Sequence, residues 1–451
     1  MADAVLRTLI PDASPTLMRL VPSFALCLLM LGPTAARAVD NNFRPYVLGA
    51  RAAGMGGAFT ALSDDGSGSY YNPGGLAFSS RSSVSLSASV YGIAGGTYEG
   101  LFPRNQDFSY SNPQVFPVST AAVRKLGAAN PDTGVPDQTV FFSVFVPDAL
   151  RIDDRDTIGS PYNAFFYAQE SQTVWVGGGY AYRMGRVGFG AVGYVLYGTE
   201  ISSFDINVAN PDDTRSFAVI SSRMDTTTIG FIGGAGVRVD VTDRLRVGAS
   251  VFSPAVGFGS RGYYAKVAAG EIPGSTTEPR FAAIVNDDLD ATPFVPLRVQ
   301  GGVAWSSPTL TLSADVTWLG AREAEMNPEL SDQGLNLNLV RKSVINASLG
   351  AEMLVADKYP VRAGLFTDFS AAVDPRGRDA GDVANSQHID RFGVALSVGH
   401  RSTNVVTDVG LNLSYGTGKE VLPRQLDFND LSYQDASQYL IYLFLATAYE
   451  F

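Results

Sequence analysis

The chain has 451 residues, of which 45% are apolar and only 17% charged, with 47 Gly, 1 Cys, 2 His and a formal net charge of −11. A soluble globular chain carries about 25% charged residues, and an acidic chain without Lys/Arg clusters is a poor partner for nucleic acid, whose phosphates demand that cation density. One cysteine excludes a disulfide scaffold, and without it in the mature chain no thiol remains for thiolate metal sites or a Cys nucleophile.

Residues 1–38 read as an export signal. Arg19 precedes the apolar run Leu20 to Leu31, followed by Gly32-Pro33-Thr34 and the small-residue site Ala36-Arg37-Ala38. That is a basic n-region, an h-region of ordinary length and an A-x-A cleavage site, with Met18 as the expected start. Cys27 lies inside the h-region behind Leu26, where a lipid-anchor signal wants a small residue. Cleavage after Ala38 leaves a cysteine-free chain with 30 basic and 42 acidic residues. Beyond it no segment offers the ~18 consecutive apolar residues of a membrane helix.

Residues 39–81 form a separate unit. The run Gly49 to Ala77 is rich in Gly, Ala and Ser, too small for a strand with a lipid face. Asp64 and Asp65 with Ser67 and Ser69 suggest capped turns or short helices. Asn72-Pro73-Gly74-Gly75 is a turn by chemistry, since Pro fixes φ and Gly permits φ > 0. A segment of this kind between signal and first strand suits a plug, or hatch, within a barrel lumen.

From residue 82 to 451 the dominant period is two. Leu310-Thr-Leu-Ser-Ala-Asp-Val-Thr-Trp318 and Val409-Gly-Leu-Asn-Leu-Ser-Tyr415 alternate apolar with small or polar residues, the mark of a sheet with unlike faces. Strands are expected near 82–91, 115–126, 137–148, 164–183, 186–203, 223–240, 245–260, 293–306, 310–320, 342–356, 359–371, 388–401, 404–418 and 437–451. Short linkers, such as Met184-Gly-Arg186 and Arg401-Ser-Thr-Asn404, alternate with long ones near 92–114, 204–222, 261–292, 321–341, 372–387 and 419–436. Short turns at one end, long loops at the other and an even count describe an all-β, transmembrane antiparallel barrel of the outer membrane. Closure satisfies every backbone N–H and C=O without water, as lipid requires. The count is fourteen, with sixteen as the alternative, because the linker 127–136 is longer than the others on its side.

The last strand ends Tyr449-Glu-Phe451, with Leu443, Leu445 and Tyr449 on one face and a free aromatic at the terminus. It resembles the signal by which outer-membrane barrels are handed to the barrel assembly machinery, so Tyr449 and Phe451 are the candidate assembly residues. An edge this apolar would be an aggregation hazard in water.

The run Ala50 to Ala77 also resembles the N-terminal hatch of the long-chain fatty acid transporter (FadL-type) family, which has a Gly-rich stretch, an acidic pair and an Asn-Pro-Ala turn. Gly236 to Pro254, Pro296 to Trp305, Leu310 to Trp318, Leu349 to Met353 and Pro360 to Gly364 fit as well. The resemblance implies a transporter or channel for hydrophobic compounds such as fatty acids, with Asp64, Asp65, Asn72, Pro73 and Gly74 as hatch residues. Gly74 stands where that family has Ala, a change that keeps the turn and adds freedom. PorV-type shuttle barrels share the hatch pattern. A secretion-associated barrel, shuttling protein or passing a surface polymer, is therefore the alternative.

A hydrophobic cargo constrains the machinery further. Each methylene prefers an apolar site by about 0.8 kcal/mol, so such a cargo needs an apolar luminal pocket, a hatch that shifts to release it passively and often a gap in the wall, instead of a watery pore. Pro147 ends the third expected strand and, lacking an N–H for the ladder, is the candidate break. By alternation Arg298, Arg362 and Arg391 point inward, as do Arg238 and Arg246. They are candidate contacts for an anionic head group or, alternatively, partners of Asp315 and Asp408. Expected partners are hydrophobic small molecules and outer-membrane lipid, with no nucleic acid, cofactor or metal. No enzyme is expected. His400 to Asn404 falls in a short turn, and Gly188-Phe-Gly-Ala-Val-Gly193 lies in a strand without the helix a nucleotide site needs. The acidic groups 153–156 and 287–290 are expected in solvated outer loops.

Overall fold

The computed structural model describes residues 42, 43, 46–102, 106–114, 118–157, 164–210, 213–271, 280–324, 339–373, 387–423 and 431–451. The export signal lies outside these residues.

Fourteen antiparallel strands close on themselves. They are β1 (Ser83–Phe102), β2 (Gln106–Gln114 with Val118–Leu126), β3 (Gln138–Thr157), β4 (Ala164–Met184) and β5 (Val187–Asn210). Then come β6 (Asp213–Asp240), β7 (Leu245–Phe252 with Val256–Glu271), β8 (Arg280–Asn286 with Arg298–Ser306), β9 (Leu310–Leu319) and β10 (Val344–Val355). β11 (Tyr359–Asp368), β12 (Gln387–Arg401), β13 (Val405–Pro423) and β14 (Leu431–Glu450) complete the wall. Each strand pairs with its neighbours in sequence, and β1 closes on β14 from Ser83↔Glu450 to Tyr98↔Ala436. The expected count of fourteen therefore stands, and residues 127–137 simply make a longer connection.

The alternation resolves into two unlike surfaces. On β9, Thr311, Ser313, Asp315 and Thr317 are buried, whereas Leu312, Val316 and Trp318 are 46%, 53% and 37% exposed. β8, β11 and β12 repeat the pattern, with Val303, Leu365 and Leu396 outside and Gln300, Arg362 and Ser397 inside. Large side chains outside and polar ones inside invert a soluble barrel. Such a continuous apolar belt is costly in water and favourable against lipid tails.

The expected long linkers divide in two. Those at 92–114, 204–222, 261–292 and 419–436 are largely strand in their described residues, since β1 runs to Phe102, β6 starts at Asp213, β7 runs to Glu271, β8 starts at Arg280, and β13 and β14 reach Pro423 and Leu431. β4, β5 and β6 contain 21, 24 and 28 residues, well beyond the ~9–11 needed to cross a bilayer. Past the lipid both faces are wet, so the ladder continues while the alternation fades. The acidic group at 153–156 belongs to this extension of β3 and is strand, not loop.

Elsewhere proline interrupts the wall. β7 breaks between Phe252 and Val256 around Pro254, and β8 between Asn286 and Arg298 around Pro293 and Pro296. Prolines cannot donate to a ladder, so the strand expected from 293 begins at Arg298 instead. The chain from 287 to 297 turns inward and buries Leu289, whose N–H donates to the Gly262 carbonyl.

Residues 46–79 pack against the inner surface of the wall. They form α1 (Ala50–Gly54), α2 (Gly68–Tyr71) and a 3₁₀ turn over Pro73–Phe78, with Phe59, Leu62, Tyr71 and Leu76 buried.

Candidate functional site

The luminal segment is held by the wall through its own backbone. Asp315 on β9 accepts from the N–H groups of Phe59 and Thr60 at 2.8 and 2.7 Å. Arg238 on β6 donates to the Leu62 carbonyl at 2.6 Å, and Ser250 on β7 to the Tyr71 carbonyl at 2.6 Å. Ser69 Oγ meets Ser143 Oγ of β3 at 3.0 Å. A compact turn-rich segment has many backbone groups without secondary-structure partners, and inward polar side chains supply them.

Asn72 is the most heavily used of the expected hatch residues. Its Oδ1 accepts from Gly74 N–H at 3.0 Å, and its Nδ2 donates to the carbonyls of Thr60 and Val237, both at 2.9 Å. It thus caps the 3₁₀ turn while stitching that turn to another part of the segment and to β6. Gly74 does not add freedom. A Cβ there would stand 2.5 Å from the Gly236 carbonyl oxygen, so the position is glycine because the turn lies directly on the wall. Gly188 and Gly190 of β5 serve the same contact, with Cβ positions 2.6 Å from Gly74 O and 2.4 Å from the Pro73 carbonyl. The strand glycines of the G-x-G-x-x-G match are seats for the Pro73–Gly74 turn.

At the short-turn end lies a charged network. Arg51 of α1 donates to Asp64 at 2.8 Å and to Glu352 of β10 at 2.8 and 3.0 Å. Arg362 of β11 joins Glu352 at 2.6 Å and Asp408 of β13 at 2.5 Å. Burial would lower the Arg51 pKa, but Glu352 and Asp64 outweigh it and raise it. Arg51 is thereby held charged. Asp65 is pushed up by burial, partly offset by hydrogen bonds from Ser67 N–H and Oγ. These groups line a polar cavity of about 490 Å³ that also touches the turn residues Pro308 and Thr309.

A second cavity, of about 160 Å³, lies on the other side of the luminal segment. Tyr70 of α2, Trp175 of β4, Phe252 of β7 and Phe294 of the inward chain bring apolar surface to it, and Pro147 and Arg298 also line it. The Arg298 guanidinium lies 4.1 Å from the Tyr70 ring centre and 4.2 Å from that of Phe252. Its Nη2 donates to the Tyr70 carbonyl at 2.6 Å.

The three expected head-group arginines are therefore not brought together. Arg362 belongs to the charged network, and Arg391 is spent on Asp368, with contacts of 3.1 and 2.6 Å. Only Arg298 reaches the aromatic cavity. Asp408 pairs with an arginine as expected, whereas Asp315 holds backbone. Trp175, Tyr70 and Phe252 were missed by sequence reasoning. The inward parity of Trp175 and Phe252 was legible, but their convergence depends on the docked luminal segment that brings Tyr70.

Pro147 does not end β3, which runs on to Thr157. It occupies an irregularity where the β3–β4 register shifts between Phe145 and Asp148. On the other side, the β2–β3 ladder stops at Thr120↔Val144. Past that point side chains bridge the strands. Gln114 accepts from Arg151 N–H at 2.9 Å and donates to its carbonyl, and Asn112 accepts from Asp153 N–H at 3.3 Å.

At the seam, Tyr449 and Phe451 face outward with rings stacked at 6.1 Å, and Phe451 N–H donates to the Ser82 carbonyl at 2.9 Å. His400 is exposed beside the Tyr359 ring, and Asn404 donates to the Glu450 carbonyl within the same end of the barrel.

No family model and no curated protein matches the sequence. Solved structures do. A FadL homologue of Pseudomonas aeruginosa superposes with a TM-score of 0.61 at 14% identity, covering 91% of this chain and 100% of that one. This chain has the FadL-type barrel fold. The Pseudomonas putida toluene transporter TodX gives 0.61 at 13% identity over 91% and 99%, and the Ralstonia pickettii toluene transporter TbuX 0.55 at 13% over 91% and 100%.

Proposed function

We propose that the protein is an outer-membrane transporter for hydrophobic compounds, with the luminal segment as a hatch. The observation that carries this reading is the division of the lumen. An aromatic cavity lies on one side of residues 46–79 and a charged, wetter cavity on the short-turn side. A cargo that gains about 0.8 kcal/mol per buried methylene would collect in the first and not cross a polar channel unaided. The neighbours described as toluene transporters and as a FadL homologue support the cargo class.

In this reading cargo enters the aromatic cavity from the membrane or the outside and leaves when the segment shifts. The interrupted β2–β3 ladder beside Pro147 offers a route through the wall, because among the described residues no row of backbone hydrogen bonds joins the two strands beyond Thr120 and Val144. Asn72, Pro73 and Gly74 set the turn that must move. Asp64 and Asp65 lie next to the Arg51 network, which holds the closed arrangement by charge. Tyr449 and Phe451 present the closing strand to the assembly machinery. Release is passive, with no covalent step. Long-chain fatty acids and monoaromatic compounds are the two cargo classes to compare, and the 160 Å³ cavity favours the smaller.

The test is uptake of labelled toluene and of a labelled long-chain fatty acid by cells lacking their own transporter and expressing the chain from Met18. Uptake of either that falls when Asn72 and Pro73 are replaced supports the proposal. A folded barrel that carries neither points to the secretion role.

A further inference from the structure

The aromatic cavity meets the wall at a second irregularity, between β7 and β9. The β7–β8 ladder runs from Leu245↔Trp305 to Phe252↔Arg298 and resumes only at Tyr264↔Asn286. Between those pairs, two backbone hydrogen bonds join the strands among the described residues. Ala255 N–H donates to the Val295 carbonyl at 3.0 Å, and Leu289 N–H to the Gly262 carbonyl at 3.1 Å. On its other side β8 meets β9 from Ser306↔Thr311 to Arg298↔Leu319, and past that point Gly320 N–H donates to the Leu297 carbonyl at 2.8 Å. The inward detour of residues 287–297 leaves an interval in the wall where a strand would otherwise run.

That interval joins two apolar surfaces. Outside, Val195, Phe231 and Val256 lie side by side on β5, β6 and β7 and are 48%, 45% and 65% exposed, so the lipid-facing belt reaches its edge. Inside, Phe252, Leu319 and residues 291–296 of the detour all line the aromatic cavity. The detour is thus the partition between belt and cavity. It lies close on the wall: a Cβ at Gly230 would stand 2.6 Å from Pro293 Cγ, and one at Gly257 3.0 Å from Pro293 Cδ. Its two ends are anchored, Leu289 in a cluster with Met224 and Tyr264, and Arg298 against Tyr70 and Phe252. Between them Arg322, at the far edge of the interval, donates to the carbonyls of Val295 and Ala255, the latter at 2.9 Å, and lies 5.6 Å from the Phe294 ring centre. One side chain therefore ties the detour and β7 across a gap that a strand would close with a row of ladder bonds.

We propose that this interval is a side port through which ring-sized apolar compounds dissolved in the membrane enter the aromatic cavity, with residues 291–297 as its shutter and Arg322 as the latch. The inference rests on the transporter reading and adds an entry separate from the gap beside Pro147. Pro293 and Pro296 suit a shutter, because they supply no N–H that would draw it into the ladder. The cargo size follows from the cavity: its 160 Å³ is close to the engineered apolar cavity of about 150 Å³ that binds benzene.

The probe is bromobenzene, a ring-sized heavy-atom quencher of tryptophan fluorescence, added to the bilayer of vesicles that hold the full barrel. Trp305→Phe and Trp318→Phe remove the two outward tryptophans and leave Trp175, which lines the cavity, as the reporter. A Cβ at Gly257 would stand 3.3 Å from Thr292 Oγ1, so Gly257→Cys with Thr292→Cys is placed for a disulfide that pins the shutter. Quenching of Trp175 should be at least about tenfold slower in the oxidised barrel and recover on reduction, with neither single variant affected. Arg322→Met keeps the stem and removes the donors, so it should quicken quenching about three- to tenfold. Heat-modifiable gel migration checks that each barrel is folded. An oxidised barrel quenched no more slowly than the reduced one (quenching in neither included), or an Arg322→Met barrel no faster than the parent, overturns the inference. Toluene uptake by cells then judges the transporter reading separately: uptake by the parent leaves it standing, and absence of uptake of any hydrophobic compound removes it too.

Discussion

Removing the Asp315 carboxylate should release the luminal segment without harming the barrel. Asp315 accepts from two backbone N–H groups, those of Phe59 and Thr60, at 2.8 and 2.7 Å. Hydrogen bonds to a charged group contribute about 1.5–3 kcal/mol each, so Asp315→Ala should weaken docking by about 3–6 kcal/mol. At 1.4 kcal/mol per factor of ten, the undocked population rises roughly 10²- to 10⁴-fold. The only cysteine lies in the expected signal, so a single Ala61→Cys probe reports cleanly on a position that is fully buried when docked. Thiol labelling of Ala61→Cys should accelerate by at least about a hundredfold when Asp315→Ala is added, while heat-modifiable migration still shows a closed barrel. Asp315→Asn keeps an acceptor and should fall between. Labelling that is unchanged by Asp315→Ala would refute the claim that this wall carboxylate holds the segment.

Three further outcomes follow from the same contacts. Pro147→Val restores a ladder donor where β3 is irregular; if the gap beside β2 is the cargo's route, uptake should drop several-fold in barrels of normal yield. Replacing both Tyr449 and Phe451 by Ala should reduce the folded barrel recovered from the outer membrane several-fold, read by heat-modifiable migration, since the closing strand loses its terminal aromatic pair. Burial raises the Asp65 pKa above its unfolded value, so ionised Asp65 weakens docking above the folded pKa and that penalty disappears as pH falls through it. Asp65→Asn, which keeps an acceptor for Ser67, should raise the thermal midpoint at neutral pH and flatten its rise toward acid.

The wall was legible in the sequence wherever lipid enforces the pattern. On β9 the bilayer demands Leu312, Val316 and Trp318 outside, and the interior takes Ser313, Asp315 and Thr317, so the period of two is unmistakable. Outside the bilayer that demand ends, and the upper parts of β5 and β6 looked like loops although their ladders continue. Pro293 and Pro296 fall within an expected strand, because the inward excursion they cause is decided by contacts with Gly262 and the lumen. Inward orientation of Arg298, Arg362 and Arg391 could be counted off. Of their partners Asp408 was visible as a luminal acid, but Glu352, Asp368 and the Tyr70 carbonyl were not, because they come from other strands or from the luminal segment. Gly188, Gly190 and Gly236 read as strand positions without a reason to be glycine, because their role is set by a turn that packs on them from elsewhere in the chain.

The most direct test of hatch-gated transport is to lock the segment to the wall. Ser69 and Ser143 face each other with hydroxyl oxygens 3.0 Å apart, close enough for their cysteine replacements to be joined by a disulfide. Uptake should stop in the oxidised Ser69→Cys/Ser143→Cys barrel and return on reduction, with neither single variant affected. Equal uptake in the oxidised and reduced states would show that cargo passes without movement of this segment, and would contradict the account.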